Sequence, residues 1–420
     1  MIQDKKLSII YYLFIITAIL TILPVFFYYL GYREIFDIYA KIYFLSIFIY
    51  IWYRFINLAY QDFKKELFEA NLYTHFTVVV PCYNEDPDLL EKVIESVEAA
   101  KGKKTIIIID DGSTNNLWEK IQRLKNKYNN IITHKFEKNI GKRHALYWAF
   151  QKLDTEFLIT IDSDTIIDKK AFVYLIAPFA DKKIGAITGN IRLLNEKRNI
   201  LTRVIAAMYL AGLNNYKKSQ SALGNVICCS GCLSAYRKEV IKKIADKFLN
   251  QKFMGYPTTH SEDRHLTNLI LEKKYKVVYV ERALCYTESP HTLKSFLKQQ
   301  QRWKRGFVRE TIYLISYSYK TSKTLFFEAL IGNALPFFLS PGIQILIVSI
   351  VLFGQYNILY YLVLSWITFM TVKELPMFIE HPIRSFWFYL YIPLYELILF
   401  WQNMWAIFTV NNKGWLTRNN

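Results

Sequence analysis

The stretch FTVVVPCYNEDPDLLEKVIESV, residues 76–97, decides the fold. An uncharged β-rich run enters a Pro-containing turn, and then Leu89, Leu90, Val93, Ile94 and Val97 recur at helical spacing. The pattern returns in KTIIIIDDGSTNNLWEKIQRL (104–124), with Asp110 and Asp111 where strand gives way to loop. EFLITIDSDT (156–165) supplies a third such strand. Continuous apolar strands alternating with helices predict a parallel α/β sheet covered on both faces. Ligands of open sheets bind outside the carboxyl ends of the strands. Glu85, Asp111, Asp162 and Asp164 all fall at those ends. Carboxylates gathered on one edge repel unless a cation joins them, so Asp162 and Asp164 are predicted to hold a metal. Mg²⁺ or Mn²⁺ suits such hard oxygen ligands and is usually shared with substrate phosphates. Neither a P-loop nor G-x-G-x-x-G is present, which leaves the cation and the basic residues of GKRH (141–144) to hold a diphosphate.

Outside this domain the composition changes. Of the 420 residues 52% are hydrophobic and 17% aromatic, more than a soluble domain needs. Residues 8–30 carry no charge over a length that crosses a bilayer core, which takes about 20 residues; 39–53 is a second such run, and the two predict N-terminal transmembrane helices within 1–60. Runs 338–353 and 358–372 read as a hairpin. A third, 386–410, is broken by Pro393 and carries Glu396, Gln402 and Asn403, so it is expected to be re-entrant, interfacial or a tight pair. The organisation expected is a cytosolic domain over 70–290, amphipathic interfacial helices over 291–323, a membrane region over 324–410 and a cytosolic tail over 411–420. Lys5, Lys6, Lys64 and Lys65 flank the N-terminal pair, while Arg33, Glu34 and Asp37 in the turn between add no net positive charge. The positive-inside rule then puts the central domain in the cytosol of a multi-pass protein of the cell membrane. The net charge of +18 suits lipid headgroups and phosphorylated substrates. No basic run accompanies a nucleic-acid fold, so nucleic acid is not an expected partner. A monomer is compatible with all these features. Cys82, Cys228, Cys229, Cys232 and Cys285 are an odd set in a reducing compartment, and the C-x-x-C of CSGC (229–232) lacks the second pair a zinc site would need.

Two later stretches complete the candidate chemistry. HSEDRHLTN (260–268) places Glu262 and Asp263 ahead of a helical run, and LKQQQRWKRG (297–306) lies on an amphipathic segment rich in cations and aromatics.

In this order VPCYNED (80–86), DDGS (110–113), NIGKRHA (139–145), DSDT (162–165), CSGCLSAYR (229–237), SEDRHLTN (261–268), QQQRW (299–303) and GWLTR (414–418) resemble the processive family-2 glycosyltransferases. Within them the chain is most similar to the class I bacterial hyaluronan synthases, with the rhizobial chitin-oligosaccharide synthases next. The resemblance implies a GT-A domain, a mixed, mostly parallel sheet with helices on both faces, fused to transmembrane helices at both ends. It implies UDP-GlcNAc and UDP-GlcA as substrates, a growing polysaccharide and membrane lipids as partners, and Mg²⁺ or Mn²⁺ as cofactor. Tyr83 and Glu85 would contact the uridine and Asp111 its base or ribose, while Asp162 and Asp164 would hold the diphosphate through the cation. Asp263 matches the catalytic base. Gln299, Arg302 and Trp303 match Q-x-x-R-W, where Arg meets the diphosphate and Trp borders the acceptor. Lys142, Arg143, Trp415 and Arg418 would close over the nucleotide; Cys229, Ser230, Gly231, Glu262 and Arg264 fall at further substrate positions. Three departures bear on the product. SEDR replaces the usual G-D-D-R, WLTR replaces W-G-T-R, and YKKSQS (216–221) replaces E-R-A-A-Q-S, losing a Glu and gaining Lys. A chitin-like product from UDP-GlcNAc alone, and an inactive glycan channel or scaffold, stay open as alternatives.

Overall fold

The computed structural model describes residues 74–210, 215–337, 382–394 and 401–412, with shorter pieces at 38, 41–50, 52, 53, 56, 351, 354 and 399. The predicted spans 8–30 and 358–372, nearly all of 338–353, and the tail residues Trp415 and Arg418 lie outside the described residues. Among those that are described, no helix is long and apolar enough to cross a membrane.

The strand–turn–helix over 76–97 is β1 (Phe76–Cys82) followed by α1 (Pro87–Ala99). Asp86 caps the helix, its side chain accepting from the Asp88 amide at 3.0 Å, and Pro87 fills the first turn, where its missing N–H costs nothing. β2 (Lys104–Asp110), α2 (Leu117–Lys127), β3 (Ile131–Lys135), α3 (Lys142–Gln151) and β4 (Phe157–Thr160) repeat the alternation. β5 (Ile166–Ile167), α4 (Ala171–Ile176), β6 (Ile184–Leu193), α5 (Ile200–Ala207) and α6 (Asn215–Ala222) follow. Then come β7 (Ser234–Arg237), α7 (Lys238–Leu249), a small hairpin of β8 (Lys252–Phe253) and β9 (Tyr256–Pro257), α8 (Glu262–Glu272) and β10 (Lys276–Thr287).

Eight strands form one sheet in the order β3-β2-β1-β4-β7-β6-β10-β5. The first four are parallel, as is the β6–β10 pair, whereas β7 runs against both its neighbours and β5 against β10. The central strands β1 and β4 are buried along their whole length because both faces are covered, whereas the edge strand β3 is partly exposed. Val78, Val80, Ile106 and Ile108 point to the layer of α1, α2 and α4, while Val79, Ile107 and Ile109 point to the layer of α3, α7 and α8.

Beyond the sheet, α9 (Leu293–Thr321) runs unbroken for 29 residues and carries the QQQRW motif. It does not simply lie on a surface. Gln300, Gln301, Lys304, Arg305, Gly306, Val308, Arg309 and Glu310 are all buried, between α8 and the segment of α12 (Trp401–Phe408), the helix that follows α10 (Lys323–Phe327) and α11 (Pro382–Leu394). Lys304 donates to the Leu399 carbonyl at 2.5 Å, Arg305 to Thr409 at 3.0 Å, and Gln402 to the Leu297 carbonyl at 3.1 Å. On its other side Glu310, with no solvent exposure, accepts from Gln251 at 2.6 Å, Asn268 at 3.1 Å and His265 Nδ1 at 3.1 Å, beside Arg309 at 3.4 Å. Burial opposes its charge, but His265 and Arg309 hold the carboxyl down, at about 2. Burial lowers the His265 pKa, opposed by the Glu310 carboxylate that its Nδ1 faces.

Removing one partner from such a cluster leaves buried charge uncompensated. Glu310→Ala is therefore expected to cost about 3–5 kcal/mol, read as a lower melting temperature for the purified protein, with Glu310→Gln losing less.

Candidate active site

The parallel strands deliver their loops to one edge. Asn84 turns through a left-handed conformation (φ 47°) just after β1, and its amide donates to Ser113 at 2.9 Å. In return Thr114 N–H donates to the Asn84 side chain at 2.8 Å, and Asn115 to the Glu85 carbonyl at 2.9 Å. The VPCYNED and DDGS loops are thus tied to each other. Asp110 is fully buried and accepts from the Ser113 amide at 2.9 Å. Asp111 is buried as well, and its two oxygens accept from the amides of Ile140 and Gly141, each at 2.9 Å. Burial pushes its carboxyl up while those two amides pull it down, leaving it above the ordinary range. It fixes the start of α3, whichever part of a ligand it also meets.

Lys142 is the first residue of that helix. Its ammonium pairs with Asp162 and lies 3.4 Å from Glu262. Burial works against the ammonium, but Asp162 and Glu262 more than compensate and hold its pKa above the lysine range. The same contact keeps Asp162 below the usual carboxylate range despite its desolvation, with help from the Cys232 thiol at 3.4 Å and from Arg302. Gly231 makes this approach possible: a Cβ there would stand 2.7 Å from the Lys142 Nζ and 3.0 Å from Asp162 Oδ1. One residue on from Asp162, Ser163 donates to Glu85 at 2.7 Å. Asp164 takes a hydrogen bond from Thr165 at 3.2 Å. Burial, then Asp162 and Glu85, push its carboxyl up to about 6. Among the described residues no three His, Cys, Asp or Glu side chains cluster as a protein-only metal cage would require. Asp162 and Asp164 offer two hard oxygen donors on a negatively charged edge, a set that fits a cation completed by phosphate and water.

Across from them, Ser261 is held in a left-handed conformation (φ 64°) and opens α8. Glu262 and Asp263 occupy the first turn, where the helix dipole favours negative charge. Asp263 accepts from the Cys228 thiol at 3.8 Å. Burial first, then the neighbouring Glu262, push its carboxyl up to about 6. α9 fixes this turn from behind, since a Cβ on Gly306 would lie 1.7 Å from the Ser261 hydroxyl. Buried Arg309 also donates to the His260 carbonyl at 2.6 Å. Arg264 turns away, to Asn333 at 3.1 Å and over the Phe307 ring at 4.3 Å. On α9 Trp303 is half-buried, its ring 6.3 Å from that of Tyr209, and Gln299 buries its carbonyl oxygen without a hydrogen-bond partner.

The structure therefore brings Glu85, Lys142, Asp162, Gly231, Glu262 and Arg302 into one electrostatic group, with Asp164 and Asp263 on its flanks. Arg143 departs from expectation. It is buried, donates to the Phe248 carbonyl at 2.8 Å and lies over the Phe248 ring, because the second position of α3 faces the core. Sequence reasoning missed Ser163, Cys228, Cys232, Gly306 and Glu310. Spacing presents the cysteines only as a metal or redox pair, whereas all five are thiols outside any disulfide and two serve as donors to carboxylates.

The comparisons agree with this geometry. A family model described as glycosyltransferase like family 2 matches residues 74–306. A hyaluronan synthase of Streptococcus pyogenes serotype M3 is 33% identical over 388 residues, 88% of this chain and 89% of its own. An N-acetylglucosaminyltransferase of Neorhizobium galegae is 29% identical over 346 residues, 81% of this chain and 79% of its own. Among solved structures, a mannosyltransferase of Pyrobaculum calidifontis in complex with GDP-Man and Mn²⁺ shares the fold. It has a TM-score of 0.59 and 16% identity, covering 88% of this chain and 95% of that one. With a GT-A sheet, its carboxylates on one edge and a family match over more than half its length, this chain belongs to the family-2 glycosyltransferases.

Proposed function

We propose that the protein is a membrane-embedded, processive, inverting glycosyltransferase that polymerises UDP-GlcNAc and UDP-GlcA into hyaluronan and passes the chain across the membrane. The observation that carries the chemistry is the division of labour among the carboxylates. Asp162 is paired with Lys142, while Asp263, opposite, has no ion pair among the described residues and is raised to about 6 by burial and Glu262. Inverting transfer needs one base for the acceptor hydroxyl and charge compensation for the departing UDP. Asp263 takes that proton. Lys142 and Arg302 face the developing charge on the diphosphate, and Trp303 offers a flat surface to the acceptor ring. Asp162 and Asp164 would hold Mg²⁺ or Mn²⁺, which, when bound, neutralises charge on the leaving diphosphate. No covalent nucleophile is required.

Membrane embedding is supported by apolar surface at both ends of the described chain. Ile42, Leu45, Phe48, Ile49 and Trp52 are exposed in the N-terminal helical stretch, as are Phe386, Leu390, Trp401, Trp405 and Phe408 near the C-terminus. Contiguous apolar surface of this kind marks an interaction site, here lipid. A chitin-like product from UDP-GlcNAc alone is the second reading, favoured by SEDRHLTN and by the rhizobial relative.

The deciding assay follows UDP release and polymer from purified protein in nanodiscs with Mg²⁺ or Mn²⁺. High-mass polymer only with both donors, cut by hyaluronidase, is expected; product from UDP-GlcNAc alone, cut by chitinase, would establish the second reading instead. Asp164→Ala should abolish the metal dependence of UDP binding, and binding that still responds to Mn²⁺ would contradict the metal role. Asp263→Asn should abolish transfer while leaving UDP affinity largely intact. A base with a raised pKa works only when ionised, so kcat/KM should climb with pH up to about 6 and level off above it. Glu262→Gln, which removes the neighbouring charge, should move that limb to lower pH; an unmoved limb would assign it to another group.

A further inference from the structure

One departure in the sequence plays no part in the chemistry above. It is YKKSQS, where, against E-R-A-A-Q-S, Lys217 stands at the Arg and Lys218 at an Ala on α6. They behave differently. Lys218 pairs with Glu281 at the surface of β10. Lys217 is 7% exposed and, among the described residues, makes no hydrogen bond and no ion pair. A buried cation without a partner is costly, so an incoming anion that paired it would be favoured.

Its location says where that anion comes from. Lys217 lies three and four residues before Gln220 and Ser221, so the three share one face of α6. That face is fixed inward: Gln220 donates to Glu328 at 2.8 Å, and Ser221 accepts from the Tyr279 amide on β10 at 2.9 Å. From the end of α6 the chain runs along β10, with the Val226 amide on the Val277 carbonyl at 3.1 Å, and delivers Cys228 to Asp263. The Lys217 charge is felt by the thiols of Cys228, Cys229 and Cys285, which places it behind the same cleft. An unpaired ammonium is a donor for a carboxylate.

We propose that Lys217 is a specificity subsite for the carboxylate of a uronic acid at the end of the growing chain, held on the acceptor side of Asp263. The inference rests on the reading of the protein as a polymerase of alternating sugars and names which of the two sugars this subsite takes.

The test uses the full-length protein in nanodiscs, saturated with UDP, and short GlcNAc–GlcA oligosaccharides ending in GlcA, as free acid and as methyl ester. Wild-type protein should bind the acid about tenfold or more tightly than the ester, the scale of a charge-assisted hydrogen bond. Lys217→Met should erase that preference, and Lys217→Arg should keep part of it. UDP affinity should be the same in Lys217→Met as in wild type. Removing an unpaired buried charge should leave the melting temperature of Lys217→Met equal or higher without oligosaccharide. A Lys217→Met protein that still prefers the acid, that loses UDP affinity, or that melts lower would overturn the subsite. The last two outcomes would assign the lysine to the diphosphate or to structure. Failure of the wider reading is separable, because it shows in the wild-type protein as polymer made without UDP-GlcA.

Discussion

A single ammonium sets the geometry of this site. Parallel strands bring Glu85, Asp162 and Asp164 to one edge, and the turn before α8 adds Glu262 and Asp263. Left alone, that group of carboxylates would repel or take up protons. Lys142 interrupts the repulsion by pairing with Asp162 and approaching Glu262, so that two elements from opposite sides of the cleft share one counter-charge. The contact depends on a missing side chain, since Gly231 leaves the space through which the ammonium reaches Asp162. It depends equally on Asp111, whose carboxylate fixes the amides of Ile140 and Gly141 immediately before Lys142.

Position at the opposite wall is controlled from α9. Gly306 abuts Ser261, Arg309 holds the His260 carbonyl, and Glu310 gathers His265 and Asn268 from α8. The helix that carries Arg302 and Trp303 is therefore also the support for Asp263. On the roles proposed, diphosphate contact, acceptor surface and base are all referred to one helix, which is what precise positioning during transfer requires. Lys304 and Arg305 extend the same helix to the C-terminal segment through Leu399 and Thr409, so that segment is coupled to the site by buried contacts.

How much of this the sequence showed follows from the range of the interactions. Strands buried on both faces announce themselves locally, so β1, β2 and β4 and the carboxylates at their ends were legible as runs and turns. The helix carrying Q-x-x-R-W was legible as amphipathic, but its burial was not, because the residues that cover it lie far along the chain at Leu399 and Thr409. The antiparallel insertion of β7 gave no periodic signal over its four residues. Arg143 shows the limit of motif reasoning. Neighbours in G-K-R-H point in different directions once α3 begins, and of Lys142 and Arg143 only the lysine faces the cleft. Cys228 and Cys232 were visible as residues, yet their work as donors to Asp263 and Asp162 exists only in three dimensions.

Lys217 belongs to the same argument in reverse. Elsewhere among the described residues each buried Lys or Arg has a partner: Glu310 for Arg309, Glu156 for Arg237, the Phe248 and Leu399 carbonyls for Arg143 and Lys304, and the Thr409 hydroxyl for Arg305. Against that pattern an unbalanced ion is informative, because the cost of desolvating an unpaired ammonium is carried in every folded molecule. Serine or alanine at that position would spare the cost, and the neighbouring YKKSQS residues show that α6 packs without further cations facing inward. On the proposal made above, the charge at Lys217 answers to what enters the cleft rather than to what lines it, and an acceptor bearing a carboxylate is the partner whose chemistry fits.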